Sequence, residues 1–473
     1  MNISALHVAL LAFSLSACGS QKSASSTGET PAPTTSASAP IVAPPAATKT
    51  PVTDEYHGTK VVDDYRWLEN WEDAKVQEWT KAIDAFTRST LSGLPQVEAI
   101  HSRVDQVLSH AAVSYYGLAQ SGGSFFALKH QPPLKQSLLV QLSSLSDLSS
   151  EKVVLDPNQL DESGSTTIDF YRPSPDGSMV AISLSKGGTE SGDVSVYGVA
   201  TGKAMHEVVP RVNGGTAGGD LVWQPDGKGF YYTRYPRGEE RPVADSNFYM
   251  QVYFHALGTP TENDRYEIGK DFPRIAEIEL SMHAPTGRLL ATVQDGDGGE
   301  FAHYMRDRKK RWKQLSEFGD GHVQIAFGPG TDLFVISTKG APRGQVLRMP
   351  ANGSVAKAKL FVAETEDTVV SSFWGSRSLV SSGGRIYVSY QLGGPSQLRA
   401  FSNKGAVLEA PEQLPSSSAG SMVPLEDGSL LFVNGSWTTP SAWFRFDPKS
   451  GNTEKTALVE EAPIDLSQVK VER

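Results

Sequence analysis

Cysteine is almost missing from this chain: one residue in 473, Cys18, so no disulfide can form within it. Long hydrophobic runs are missing too. The apolar stretch from Ala5 to Leu15 is too short to span a bilayer. The ten histidines are scattered with no His-x-x-x-His pair, and a lone cysteine cannot make Cys-x-x-Cys, so the common metal-ligand spacings are excluded and neither a metal nor a cofactor is expected. Positive charge is in deficit, with 43 Lys and Arg against 53 Asp and Glu and a net charge of −10. That balance leaves no footprint for nucleic acid and argues against an anionic partner for the protein as a whole.

What is present is a short pattern that recurs. A turn ending in glycine is followed by five to seven residues rich in apolar and β-branched types. The turns are Gly122-Gly123, Asp176-Gly177, Asp226-Gly227, Thr286-Gly287, Pro329-Gly330, Gly383-Gly384 and Asp427-Gly428, spaced 43 to 60 residues apart. Such a turn supplies the positive φ of a tight hairpin, and the run after it reads as an interior strand. A period of this length belongs to propeller blades rather than helical solenoids. One four-stranded unit cannot bury both its faces alone, so the units close into a ring. A β-sandwich with regular turns is the other reading, but seven copies exceed what one sandwich holds. The expected fold is all-β, a seven-bladed propeller over residues 113–465, preceded by a short helical segment and a disordered tether.

The start of the chain is different. Ser16-Ala17-Cys18 closes the short apolar run, and small residues before a cysteine there resemble a bacterial lipoprotein signal, with residues 1–18 removed up to a lipidated Cys18. A cleaved secretory signal with an incidental cysteine is the alternative; the first residues lack Lys and Arg. Gly19 after the cysteine points, by resemblance to sorting rules, to the outer membrane and the periplasm. Residues 19–50 are mostly Ser, Thr, Ala and Pro and read as a disordered tether. Residues 51–112 then break the β pattern. Asn70 can cap a helix through Val76, Trp79, Ile83 and Phe86, and a second amphipathic run follows through Val97, Ile100, Val104 and Leu108. Two readings stand: these helices cover one end of the propeller, or their apolar stripe belongs against a further domain.

Several words in this sequence resemble the prolyl oligopeptidase family. They are Asp54-Glu-Tyr-His-Gly58 with Val62-Asp-Asp-Tyr65-Arg-Trp67-Leu-Glu69, Ser185-Lys-Gly-Gly-Thr-Glu-Ser191-Gly192, and Gly227-Lys-Gly229-Phe-Tyr-Tyr-Thr-Arg234-Tyr235. The most specific are Gln251-Val-Tyr253-Phe-His255-Ala-Leu-Gly258-Thr-Pro260 and Thr338-Lys-Gly-Ala-Pro-Arg343-Gly344. The resemblance implies a seven-bladed propeller, as the repeat count does. It also implies an α/β-hydrolase domain with a Ser-Asp-His triad that cleaves after proline. In the family the helical lead-in packs on that hydrolase, and the propeller caps its active site and admits only short peptides.

The nucleophile elbow Gly-x-Ser-x-Gly that such a hydrolase needs is not found. The nearest approach, Gly188-Thr-Glu-Ser191-Gly192, has its serine one position late and reads as a blade loop. Residues 466–473 are expected to be the start of the passage into the missing hydrolase, and no catalytic residue is assigned. Asp295-Gly-Asp297-Gly-Gly-Glu300 reads as a Gly-rich loop rather than a calcium site, and Arg306 to Arg311 as a basic hairpin tip. The polar stretch with Arg237, Glu239, Glu240 and Arg241 is either a mobile surface connection or a flap that gates a domain interface.

The function expected is therefore the substrate-gating propeller of a periplasmic, lipid-anchored, prolyl oligopeptidase-like serine endopeptidase acting on short proline-containing peptides, inactive alone. The alternative is a non-catalytic propeller serving as a peptide-binding or assembly module.

Overall fold

The structure is a computed structural model that describes residues 43–109, 112–370, 377–461, 466, 468, 469 and 471. Cys18 and residues 1–42 lie outside the described residues, as does half of 466–473. The chain divides into two compact units between residues 110 and 111.

The first unit opens on a β-hairpin, Val52–Tyr56 with Thr59–Asp63, where the sequence pattern suggested a departure from β structure. His57 and Gly58 turn it with φ of 51° and 80°, and the β-branched Thr59, Val61 and Val62 favour the extended strand. Arg66 clamps the hairpin, 2.6 Å from Asp54 and 2.9 Å from Asp63. Helix α1 spans Ala74–Ser92 and is capped by Asp73, whose carboxylate accepts from the Lys75 N–H; Asn70 is not the cap. Asp73 wins because its side chain reaches the second helical N–H, while Asn70 lies a turn too early. Thr48, within the stretch expected to be tether, accepts from Trp67 Nε1 at 2.8 Å. Trp67 also meets Trp79 edge-on at 6.4 Å. Helix α2, Val97–Ser109, carries the predicted stripe, and Ile100, Val104 and Leu108 on it are exposed.

The second unit is the ring. Its seven blades run Ser114–Leu155, Thr166–Val209, Leu221–Ile268, Ala276–Ser316, His322–Val362, Thr368–Leu408 and Ser418–Val459. Each is an antiparallel meander in chain order. In blade 6 the innermost strand is split into Thr368–Val369 and Leu379–Ser382, which both pair with Arg385–Gln391. All seven recurring turns join the first strand of a blade to its second, and each places a glycine at positive φ. In blades 2 to 7 most of each second strand is buried, and in blade 3 every residue of Gly229–Arg234 is covered.

The apolar side chains sort into clusters that each straddle two neighbouring blades. Strand alternation explains this. Val180 and Ile182 of blade 2 face blade 1, while Ala181 between them faces blade 3. Among the described residues closure occurs without strand exchange, because blades 1 and 7 each use only their own contiguous segments. They meet through Leu118, Val140 and Leu142 against Leu431, Trp443 and Leu458. Trp443 Nε1 donates to the Tyr115 carbonyl at 2.9 Å, and Gln120 Oε1 accepts from the Glu426 N–H at 2.9 Å.

Trp443→Ala is expected to lower stability in urea unfolding by about 3–5 kcal/mol, the usual cost of deleting a buried tryptophan. An unchanged midpoint and slope would show that this seam does not hold the ring closed.

Candidate functional site

A four-stranded meander has parity. Turns between strands 1 and 2 and between strands 3 and 4 lie on one face of the ring. Turns between strands 2 and 3, and the passages from blade to blade, lie on the other. The first strand starts and the last strand ends on this second face, here called the upper face. The stretches that stood out in the sequence gather there: residues 187–192 in blade 2, 235–250 in blade 3, 296–300 in blade 4 and 338–344 in blade 5 each join strand 2 to strand 3. The basic tip at 307–311 joins strands 3 and 4 of blade 4 and lies on the opposite face, with Arg311 paired to Asp307 at 2.8 Å.

The longest of the upper loops, 235–250, is held by arginines on both limbs. Arg211, in the passage from blade 2, donates to the Pro236 carbonyl at 2.8 Å and the Ser246 carbonyl at 2.5 Å. Arg274, in the passage to blade 4, is 2.9 Å from Asp245 and lies over the Phe248 ring at 3.5 Å. At its base Arg237 donates to the Pro210 carbonyl at 2.7 Å and to the Tyr232 hydroxyl at 3.3 Å. Tyr232 in turn donates to Asp264 at 2.5 Å, and Asp264 lies 2.6 Å from Nδ1 of the buried His255. Glu207 of blade 2 sits 3.2 Å from the other ring nitrogen. Burial works against a charged His255, yet Asp264 and Glu207 outweigh it and raise its pKa. The loop is thus a pinned flap with a free tip, where Val243 is 91 % exposed.

Beneath the flap is a cavity of about 320 Å³, lined among others by Arg234, Tyr235, Glu240, Arg241, Tyr249, Tyr253 and Lys270. Arg234 holds Glu240 with both terminal nitrogens at 2.9 and 3.0 Å and stacks on Tyr253 at 3.9 Å. Burial alone would raise the Glu240 carboxyl, but Arg234 outweighs it and holds the carboxyl below its usual range. Arg234 Nε is buried with no hydrogen-bond partner among the described residues. Arg241 stacks on Tyr249 at 3.9 Å, and Lys270 lies 4.6 Å from the Tyr266 ring. Tyr249 has φ of 57°, a left-handed conformation that a bulky side chain adopts only when its surroundings force it.

Of the four flap residues singled out in the sequence, Glu240 and Arg241 line this cavity. Arg237 instead secures the loop base, and Glu239 is exposed on the outside. Sequence reasoning missed Arg234, Tyr249, Tyr253 and Lys270 as members of one site. The density of Tyr and Arg between residues 231 and 253 was the available signal.

A second polar cluster lies on the ring axis, the one place where side chains from the inner strands of blades 2, 3, 4 and 6 can converge. Arg172 pairs with Asp220 at 2.6 Å, and Asp220 also accepts from the Leu280 N–H at 2.8 Å. Glu279 sits beside them with Arg377 nearby; burial pushes its carboxyl up to about 8, Arg377 opposes this, and Asp220 adds to it.

Residues 44–458 match the family described as "Prolyl oligopeptidase, N-terminal beta-propeller domain". A prolyl endopeptidase of Elizabethkingia meningoseptica is 24 % identical over 417 residues, covering 87 % of this chain and 56 % of that protein. Prolyl oligopeptidase A of Galerina marginata is 30 % identical over 231 residues, 43 % of this chain and 30 % of that one. A solved structure from a study of two prolyl endopeptidases and their inter-domain dynamics superposes with a TM-score of 0.78 at 26 % identity, covering 90 % of this chain and 61 % of its own. Prolyl oligopeptidase B of Galerina marginata, bound to a 25-residue macrocyclization substrate, shares the fold at a TM-score of 0.76 and 17 % identity, with 90 % of this chain and 62 % of its own covered. The chain spans a little over half the length of the Elizabethkingia relative.

Two outcomes follow from the geometry. Arg211→Gln combined with Arg274→Gln removes charge-assisted hydrogen bonds worth about 1.5–3 kcal/mol each, so amide exchange over residues 238–248 should quicken at least about tenfold; unchanged protection would mean that the flap is not pinned by them. For Glu279 the folded-state pKa lies above the unfolded one, so the carboxyl favours folding while protonated. That contribution is complete below the usual carboxylate range and is lost as pH rises toward about 8. Glu279→Gln should therefore gain thermal stability over the parent progressively across that window, and a difference independent of pH would contradict the burial of this carboxyl.

Proposed function

Because this chain belongs to the prolyl oligopeptidase family, through its N-terminal β-propeller domain, we propose that it is the substrate-gating part of a serine endopeptidase that cleaves short peptides after proline. The ring lies over the active site of an α/β-hydrolase domain outside these 473 residues. It excludes folded chains and leaves the chemistry to the hydrolase. The observation that carries this reading is the shared upper face, since both ends of the ring, the pinned flap and its cavity all open there. A domain covalently continuous with either end of the ring meets that face first. The matched relatives extend well beyond the aligned region, which supports a further domain of substantial size. The lead-in, with the exposed apolar stripe of α2, is the segment that would pack on it.

The chain alone should leave chromogenic Gly-Pro peptides uncut. Mixed with the hydrolase domain of a homologous prolyl endopeptidase, it should confine cleavage to short peptides and spare long ones. If short and long substrates are cut alike with and without the chain, the gating role is wrong. Turnover by the purified chain alone, blocked by a serine-directed fluorophosphonate, would refute the division of labour.

We propose further that the chain is held at the periplasmic face of a bacterial outer membrane by acyl groups on Cys18. The support is the Ser16-Ala17-Cys18 sequence after a short apolar run, and each buried methylene of an acyl chain adds about 0.8 kcal/mol of membrane affinity. Cys18→Ser should release the protein from the outer-membrane fraction; unaltered fractionation would argue against lipidation.

A further inference from the structure

The cavity under the blade 3 flap carries more positive charge than it neutralises. Three cations line it, Arg234, Arg241 and Lys270, against the single carboxylate of Glu240. Arg234 is committed to Glu240. Arg241 and Lys270 have no carboxylate partner among the described residues; each lies against a tyrosine ring instead, at 3.9 and 4.6 Å. In a chain of net charge −10, two uncompensated cations at one concavity are a local reversal of sign. The rest of the lining is aromatic, with Tyr235, Tyr249 and Tyr253. Holding Tyr249 in a left-handed conformation keeps its ring under Arg241, which costs backbone energy that the arginine clamps on the flap must offset.

We propose that this cavity binds a carboxylate of a peptide, and specifically the free α-carboxylate at its C-terminus, with the last side chain lying against the tyrosine rings. Arg241 offers a planar fork of N–H donors suited to two carboxylate oxygens, and Lys270 a second positive charge. A volume of about 320 Å³ sits at the lower end of small-ligand pockets and holds one or two residues, not a folded partner. A bare inorganic anion would satisfy the cations and leave the aromatic walls empty; a terminal residue satisfies both. Captured there, a peptide is anchored by its C-terminal end to the upper face, which selects for short substrates by end recognition as well as by exclusion. This assignment rests on the reading of the chain as a peptide-gating propeller, and names the chemical group that the gate holds.

The test uses the purified chain and a proline-containing hexapeptide carrying a fluorophore on its N-terminus, in three forms: free acid, C-terminal amide, and amide with an internal glutamate. Binding is read by fluorescence anisotropy at low and high salt. The free acid should bind about tenfold or more tighter than the plain amide, and its advantage should shrink with salt. Arg241→Gln with Lys270→Gln should bring the acid down to the amide, whereas Arg241→Lys with Lys270→Arg should keep most of the preference. Both pairs lie at the surface of the cavity, and matching melting curves show that the fold is intact. Equal binding of acid and amide, no binding of any form, or an acid preference that survives the glutamine pair would each overturn the proposal. Binding of the internal-glutamate amide as tight as the acid would overturn the assignment to a chain terminus. Because no hydrolase is present, these outcomes are read separately from the cleavage experiment, whose failure would strike the gating role and not the carboxylate site.

Discussion

Every blade of this ring is apolar on both faces, and neither face can be buried except against a neighbour. That single constraint sets the architecture. It fixes why the side chains alternate between two clusters along each second strand, as Val180, Ala181 and Ile182 do. It also explains why the ring must close, since an open stack would leave the outer faces of its first and last blades in water. Here the closing contact is made by side chains and a few hydrogen bonds, with no strand shared between blades 1 and 7 among the described residues. Six of the blade junctions are also covalently continuous, whereas the seventh is held by packing and a few hydrogen bonds without a chain connection, so the seam at Trp443 is where the ring has least to lose by parting.

The upper face depends on that frame. A loop as long as 235–250 cannot bury enough of itself to fix its own shape, and its order comes from outside. Arg211 and Arg274 reach it from the passages on either side of blade 3, so the flap is registered against two blade junctions at once. Its base is tied in the same way, through Arg237, Tyr232, Asp264 and His255 to Glu207 on the outer strand of blade 2. A flap tied to junctions rather than to one blade is sensitive to how neighbouring blades tilt, and the cavity beneath it inherits that sensitivity.

The fold was legible in the sequence because its determinants are local. A tight turn must place a glycine at positive φ, and an interior strand must be apolar, so Asp176-Gly177 before Met179 or Asp427-Gly428 before Leu430 announces a hairpin without knowledge of anything distant. Where determinants are distant the reading failed. The hairpin at residues 52–63 was taken into a helical segment, because a two-strand unit stabilised by Arg66 reaching Asp54 shows no period. The split inner strand of blade 6 interrupts a pattern with no compensating signal. The site is the clearest case. Glu240 and Arg241 stood out as charges in a polar loop, but Tyr253 and Lys270 look like ordinary strand and turn residues. Only the flap's fold over the ends of the blade 3 strands brings them together.

The ring axis obeys the opposite rule from the clusters between blades. Side chains at the axial edge of the blades meet polar groups from several blades rather than one apolar face, so burial does not demand that they be apolar, as Arg172, Asp220, Glu279 and Arg377 show. A pair such as Arg172 and Asp220 satisfies itself there, its members 2.6 Å apart. Glu279, with no hydrogen-bond partner so close, takes up a proton more readily instead. Because Glu279 interacts electrostatically with Arg377, Asp220 and Arg172, a change in its protonation acts on groups of blades 2, 3, 4 and 6 together.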